Sequence, residues 1–139
     1  DQLKEPTVNF SGQSRRLLLV DDDVRNTYAL TIALESEGFE VLAASNGLQA
    51  LEFLDTEGVF DAVLMDIMMP EMDGYEAMRR LRSDGRFDRL PVIALTARTQ
   101  EEDRQACFEA GATDYLVKPI DHELLLERLA RALSPQEVF

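Results

Sequence analysis

Residues 60–74 read FDAVLMDIMMPEMDG, and the fold turns on how this stretch is taken. An apolar run, Ala62-Val63-Leu64-Met65, stops on a carboxylate, Asp66. Further apolar residues lead to a turn signal that runs from Pro70 to Asp73-Gly74. A short apolar run bounded by turn residues predicts a strand covered on both faces. Asp66 then occupies its C-terminal tip, the edge of an open α/β sheet outside which ligands bind.

The same pattern recurs on either side. Residues 16–20, RLLLV, end on Asp21-Asp22-Asp23, and residues 39–44 form another short run. Residues 91–95, PVIAL, begin with a proline, which a first strand position tolerates, and are followed by Thr96. Residues 114–117 end on Lys118-Pro119.

Helical signals fill the intervals. Residues 24–37 carry a stripe of Val24, Tyr28 and Ile32 beside Ala29 and Ala33, stopped by Gly38. Ser45 or Asn46 can cap a helix over 47–57 with Leu48, Leu51 and Leu54 on one face. Residues 75–82 are amphipathic, and 83–89 read as a polar loop. Thr99 with Glu102 matches a capping box and opens a helix that Gly111 closes. Asp121 caps a last helix with Leu125, Leu129 and Leu133 along one side.

Five strands alternating with five helices predict a three-layer α/β fold, a parallel sheet with right-handed crossovers. Residues 1–14, polar with Pro6 and Gly12, read as a linker or tail, residues 15–133 as the domain, and 134–139 as a C-terminal tail. The start at Asp1 rather than Met suggests a fragment of a longer protein.

Composition narrows the classes. A chain of 139 residues fits one domain, and 45% hydrophobic residues is ordinary for a folded one. The net charge of −13 disfavours nucleic acid and anionic membranes as direct partners. No apolar run approaches the roughly 20 residues of a membrane-spanning helix. No signal peptide is visible, and a lone Cys107 forms no internal disulfide, so the cytoplasm is the expected compartment.

The strand ends carry the chemistry. Asp21-Asp22, Asp66, Thr96 and Lys118 follow four strands, and all C-terminal tips of a parallel sheet share one edge. Three carboxylates gathered there repel one another unless compensated. A hard cation such as Mg²⁺ answers that repulsion, since it takes oxygen ligands from one or two carboxylates and a phosphate. Lys118 adds a compact charge for a phosphoryl oxygen and Thr96 a hydroxyl donor, leaving Asp66 as the nucleophile for phosphoryl transfer. The chain has only two lysines among its 14 basic residues, Lys4 and Lys118. A point charge with rotatable donors suits a tight phosphoryl pocket better than a planar guanidinium.

The motifs LLLVDDD, LMDIMMPEMDG, VIALTA and DYLVKP together resemble the receiver domains of two-component phosphorelay response regulators, over about residues 15–133. The resemblance implies a (βα)5 flavodoxin-like fold with strand order 2-1-3-4-5. It implies that Asp66 accepts a phosphoryl group from a phosphohistidine on a histidine kinase or phosphotransfer domain. Asp22, Asp66 and the backbone carbonyl of Met68 would hold Mg²⁺, or Mn²⁺ in its place, with Asp21 acting through water. Lys118 would contact the phosphoryl group, and Lys118-Pro119 would be a cis bond. Thr96 and Tyr115 would form a switch pair that alters the face of the fourth helix, fifth strand and fifth helix. Such a domain catalyses its own phosphorylation and dephosphorylation, and any kinase activity would belong to a parent chain. DDDVRN also resembles receivers attached to hybrid sensor histidine kinases, with a stand-alone single-domain regulator as the alternative. The last-helix face is a candidate homodimer surface.

Plainer roles suit the remaining signals. Asp23 reads as a helix cap, and Glu101-Glu102-Asp103 as charge complementing a helix dipole. His122, the only histidine, reads as a surface residue, and Cys107 as a packed small one. Met65, Met68, Met69 and Met72 read as packing. An aspartate-nucleophile phosphatase is the enzymatic alternative, but such enzymes use a second Asp two residues after the nucleophile, where this chain has Met68.

Overall fold

The computed structural model describes residues 15–134; the expected tails over 1–14 and 135–139 lie outside that range. Strands and α-helices alternate: β1 (Arg15–Val20), α1 (Val24–Glu35), β2 (Phe39–Ala44), α2 (Gly47–Thr56), β3 (Ala62–Asp66), α3 (Gly74–Arg82), β4 (Val92–Thr96), α4 (Glu101–Ala110), β5 (Asp114–Val117) and α5 (His122–Leu133), and the stretch 83–89, expected as a loop, holds one 3-10 turn at Gly85–Phe87. The strands pair in parallel in the order β2-β1-β3-β4-β5, the flavodoxin-like order expected.

Every residue of β3 and β4 is buried, as the uninterrupted apolar runs require. The two-residue strand period sorts them into two cores. Leu18, Val20, Val63, Met65, Val92 and Ala94 meet the side chains of α2, α3 and α4. Leu17, Leu19, Leu64, Ile93 and Leu95 meet Leu30 and Leu34 of α1 and Leu125 and Leu129 of α5. Each fully buried leucine contributes roughly 1.5–3 kcal/mol, so a one-residue slip, which exchanges the two sets, is strongly resisted.

Four helices begin on side-chain caps. Asp23, Asn46, Asp73 and Asp121 accept hydrogen bonds from the first-turn N–H groups of α1, α2, α3 and α5. The fourth helix departs from expectation. It starts after Gln100, which makes no side-chain cap, so Thr99 lies one residue too early for the capping box. Glu101, Glu102 and Asp103 in its first turn supply the dipole complement.

The largest correction concerns α1. Its helix ends at Glu35 rather than 37, and Gly38, at φ +97, turns the chain into β2. Its core-facing residues are Leu30 and Leu34, whereas Val24, Tyr28 and Ile32 are 76%, 69% and 51% exposed. Both sets have helical spacing, and only the direction in which β1 delivers the helix to the sheet decides between them. A milder version occurs in α2, where Leu54 is buried with Gly47 and Ala50, while Leu48 faces solvent.

The open edge of β5 is covered by a side chain of α5. Arg128 donates to Asp114 Oδ1 at 2.7 Å and to the Tyr115 carbonyl at 3.4 Å, which blocks strand addition there. Among the described residues, no helix is long and apolar enough to cross a membrane.

Candidate functional site

Parallel pairing brings the strand ends together. The register sets Val20 of β1 beside Met65 of β3, and Asp66 beside Leu95 of β4. Asp21 therefore emerges next to Asp66, its N–H bonded to the Ala44 carbonyl at 3.1 Å. The Lys118 N–H donates to the Thr96 carbonyl at 2.8 Å, which extends the β4–β5 ladder and fixes where the lysine leaves the sheet. The Lys118-Pro119 bond is cis, as the family resemblance implied.

The side chains converge. Lys118 Nζ lies 3.0 Å from Asp66 Oδ1 and 3.4 Å from Asp21 Oδ2. Asp21 and Asp66 are each only 3% exposed, whereas Asp22 faces solvent at the rim. One carboxylate oxygen from each of the three falls within 4.8 Å of the others. Asp21 Oδ1 also accepts the Asp23 N–H at 2.9 Å, and Asp66 Oδ1 the Met68 N–H at 3.3 Å. Thr96, the last residue of β4, is buried, and its Oγ1 accepts the Arg98 N–H at 3.0 Å.

Burial pushes the Asp66 carboxyl up to about 6; the Lys118 hydrogen bond opposes this and the charge of Asp21 adds to it. For Lys118, burial works against the charged form, but the contact with Asp66 and the charge of Asp21 outweigh it and raise its pKa. The cluster thus carries three carboxylates against one ammonium. Oxygen-only donors with excess negative charge are what a hard divalent cation requires, so this donor set fits Mg²⁺.

The loop after β3 is shaped by two residues whose importance was not legible beforehand. Gly74 donates its N–H to the Ile67 carbonyl at 3.0 Å, and a Cβ there would collide with the Asp66 carbonyl and lie 2.8 Å from Ile67 Cα. Glu71 has φ +66, a left-handed conformation costly for a non-glycine residue. The sequence marked this segment only as a turn. Met65, Met69 and Met72 are buried as expected, while Met68 is 52% exposed. Tyr115 is set apart from the acidic cluster: it pairs with Ala94, and its ring meets Phe108 of α4. Cys107 is buried and His122 exposed, as expected.

A cleft of ≈ 520 Å³ opens beside the cluster between α1 and the β5–α5 connection, lined by Asp21, Asn26, Leu30, Lys118, Pro119 and His122 among others.

With this fold and strand-end cluster established, the family profile of the response regulator receiver domain matches residues 17–130. The chain belongs to that family. The receiver is similar to Protein PilH of Pseudomonas aeruginosa, 41% identical over 119 residues that span 86% of this chain and 98% of PilH. It is 44% identical to Response regulator MprA of Mycobacterium sp. strain KMS over 125 residues, 88% of this chain but 53% of MprA, so it spans about half of that relative. Among solved structures it is similar to the receiver domain of sensor histidine kinase PA1611 from P. aeruginosa, which has a magnesium ion coordinated in its active-site cleft. That match has a TM-score of 0.81 at 36% identity and covers 88% of this chain and all of the other.

Proposed function

We propose that this receiver domain accepts a phosphoryl group on Asp66 from a phosphohistidine of a partner histidine kinase or phosphotransfer domain. The observation that carries the proposal is the buried Asp66 carboxylate with Lys118 Nζ 3.0 Å away and Asp21 and Asp22 alongside. An Asp66 oxygen attacks phosphorus, the P–N bond breaks, and the imidazole nitrogen keeps the electron pair and takes up a proton. Lys118 meets the charge on the phosphoryl oxygens. Asp22, Asp66 and the Met68 carbonyl would hold Mg²⁺, or Mn²⁺ in its place, with Asp21 acting through water. When bound, the ion would supply positive charge to offset the negative charge of the three carboxylates and the phosphoryl oxygens. Thr96 then contacts the new acyl phosphate and Tyr115 responds, altering the face built from α4, β5 and α5.

Met68 favours this reading over a phosphatase. Its thioether, two residues beyond the nucleophile, has no proton to give a leaving alcohol.

The partner surface in this proposal is the apolar ridge of α1. Val24, Tyr28 and Ile32 lie at i, i+4 and i+8, exposed to water, and the ridge begins one residue after Asp23 at the mouth of the site. A donor seated there would approach the strand-end cluster from the N-terminal end of α1. The PA1611 receiver is part of a sensor histidine kinase, which is the setting the hybrid-kinase reading requires, and a stand-alone regulator is its alternative. The acceptor role is common to both.

Incubation with Mg²⁺ and a small phosphodonor tests the proposal. The native domain gains the mass of one labile phosphoryl group, and Asp66→Asn gains none. No gain in the native protein, or an equal gain in the variant, refutes it.

A further inference from the structure

Four side chains form a row from the start of α4 to β5. Glu101, Arg104 and Phe108 are spaced three and four residues apart and so share one helix face. Arg104 Nη1 bonds Glu101 Oε2 at 3.1 Å, and its guanidinium carbon lies 5.3 Å from the centroid of the Phe108 ring. Phe108 in turn meets Tyr115 edge-to-face, with centroids 6.1 Å apart and planes at 84°.

The two ends of this row are anchored differently. At β5, the Tyr115 backbone is fixed by pairing with β4 and by Arg128 on its carbonyl. The Tyr115 ring is only half-buried, so its position is set by what it touches. At the other end, the first turn of α4 joins the segment in which the Arg98 N–H holds Thr96 Oγ1. Phe108 is itself 37% exposed, so the Arg104 guanidinium, rather than the core, supports its outer side.

We propose that Phe108, braced by Arg104, is a positioning residue that holds the Tyr115 ring in its resting place against α4. The consequence for signalling rests on the proposed switch role of Tyr115, but the brace can be tested without it. An edge-to-face pair is a modest interaction, so its removal multiplies the population of a displaced Tyr115 ring by roughly two- to tenfold.

The test uses the domain labelled with 3-fluorotyrosine, whose three tyrosines give separate signals; that of Tyr115 is assigned by its loss in Tyr115→Phe. Fluorine relaxation dispersion on the unphosphorylated protein reads the minor-state population. Phe108→Ala and Phe108→Leu raise it two- to tenfold, Arg104→Met raises it less, and Phe108→Trp, which keeps an aromatic ring without adding a fluorotyrosine, stays near the native value. Tyr28 and Tyr75 are unaffected. An unchanged Tyr115 population in both Phe108→Ala and Phe108→Leu, or no exchange in any of the proteins, overturns the proposal. Treatment with a phosphodonor is a separate arm: failure of the native protein to gain a phosphoryl group sinks the acceptor reading and leaves the brace to be judged on the unphosphorylated spectra.

Discussion

Lys118 Nζ lies 3.0 Å from Asp66 Oδ1, although Asp66 ends β3, Lys118 follows β5, and β4 lies between those two strands. The lysine stem spans that gap because its backbone is pinned to the Thr96 carbonyl. The same ammonium is 3.4 Å from Asp21, so one cation is shared between two buried carboxylates. It occupies the region a divalent ion would neutralise.

Lys118→Met therefore has two effects of opposite sense. Phosphoryl uptake from a small donor falls roughly 100-fold, the scale of losing one preorganised charge stabiliser. Mg²⁺ binds more tightly, because the cation competing for Asp66 and Asp21 is gone. Mass spectrometry reads the first effect and calorimetric titration the second. Weaker Mg²⁺ binding in the variant would contradict the competition.

In metal-free protein, stability follows the Asp66 proton. The folded carboxyl titrates at about 6 against an ordinary 3.8, so the folded state binds this proton more tightly than the unfolded chain does. The contribution is therefore favourable at low pH and is lost as pH rises from about 4 through about 6, by on the order of 2–3 kcal/mol. Asp66→Asn removes the loss. In chelator, urea unfolding finds the variant more stable than native at pH 8, with the difference closing near pH 4. A difference that widens towards pH 4 would contradict this.

Gly74→Ala places a methyl group against the Asp66 carbonyl and 2.8 Å from Ile67 Cα, both backbone atoms of the site. The strand end must move, at a cost of roughly 3 kcal/mol. The urea midpoint drops accordingly, and Mg²⁺ affinity drops with it.

Glu71→Gly acts in the other direction. Its φ of +66 costs a side-chain-bearing residue about 1 kcal/mol, which glycine relieves. A small rise in melting temperature with unchanged phosphorylation is expected; a fall would show that the Glu71 side chain has a compensating role.

Tyr28→Ala separates donor docking from chemistry. Tyr28 is 69% exposed on α1, so its removal changes stability by no more than about 0.5 kcal/mol. Transfer from a phosphohistidine protein slows about tenfold, as for a contact worth over 1 kcal/mol, while uptake from a small phosphodonor is unchanged. Equal slowing with both donors would place Tyr28 outside the partner surface.

Much of this was legible from sequence, for physical reasons. The apolar runs ending at Val20, Met65 and Leu95 leave little choice but buried parallel strands, and the strand tips then locate Asp21, Asp66, Thr96 and Lys118 together. Two kinds of information were not local. The face that α1 turns inward depends on how β1 delivers it, because Leu30-Leu34 and Val24-Tyr28-Ile32 are equally periodic. The close approach at Gly74 and the contact of Phe108 with Tyr115 join segments whose spacing follows only from the packed layers.

The two cores on opposite faces of the sheet bear on access. Asp66 ends the central strand, with α1 and α5 on one side and α2, α3 and α4 on the other. A donor resting on the α1 ridge leaves the Arg104–Phe108 flank of α4 uncovered. In the proposed scheme a donor on α1 and a recipient gripping α4 stand on opposite sides of the sheet, while α5, on the α1 side, is the part of the output face that the two would contest.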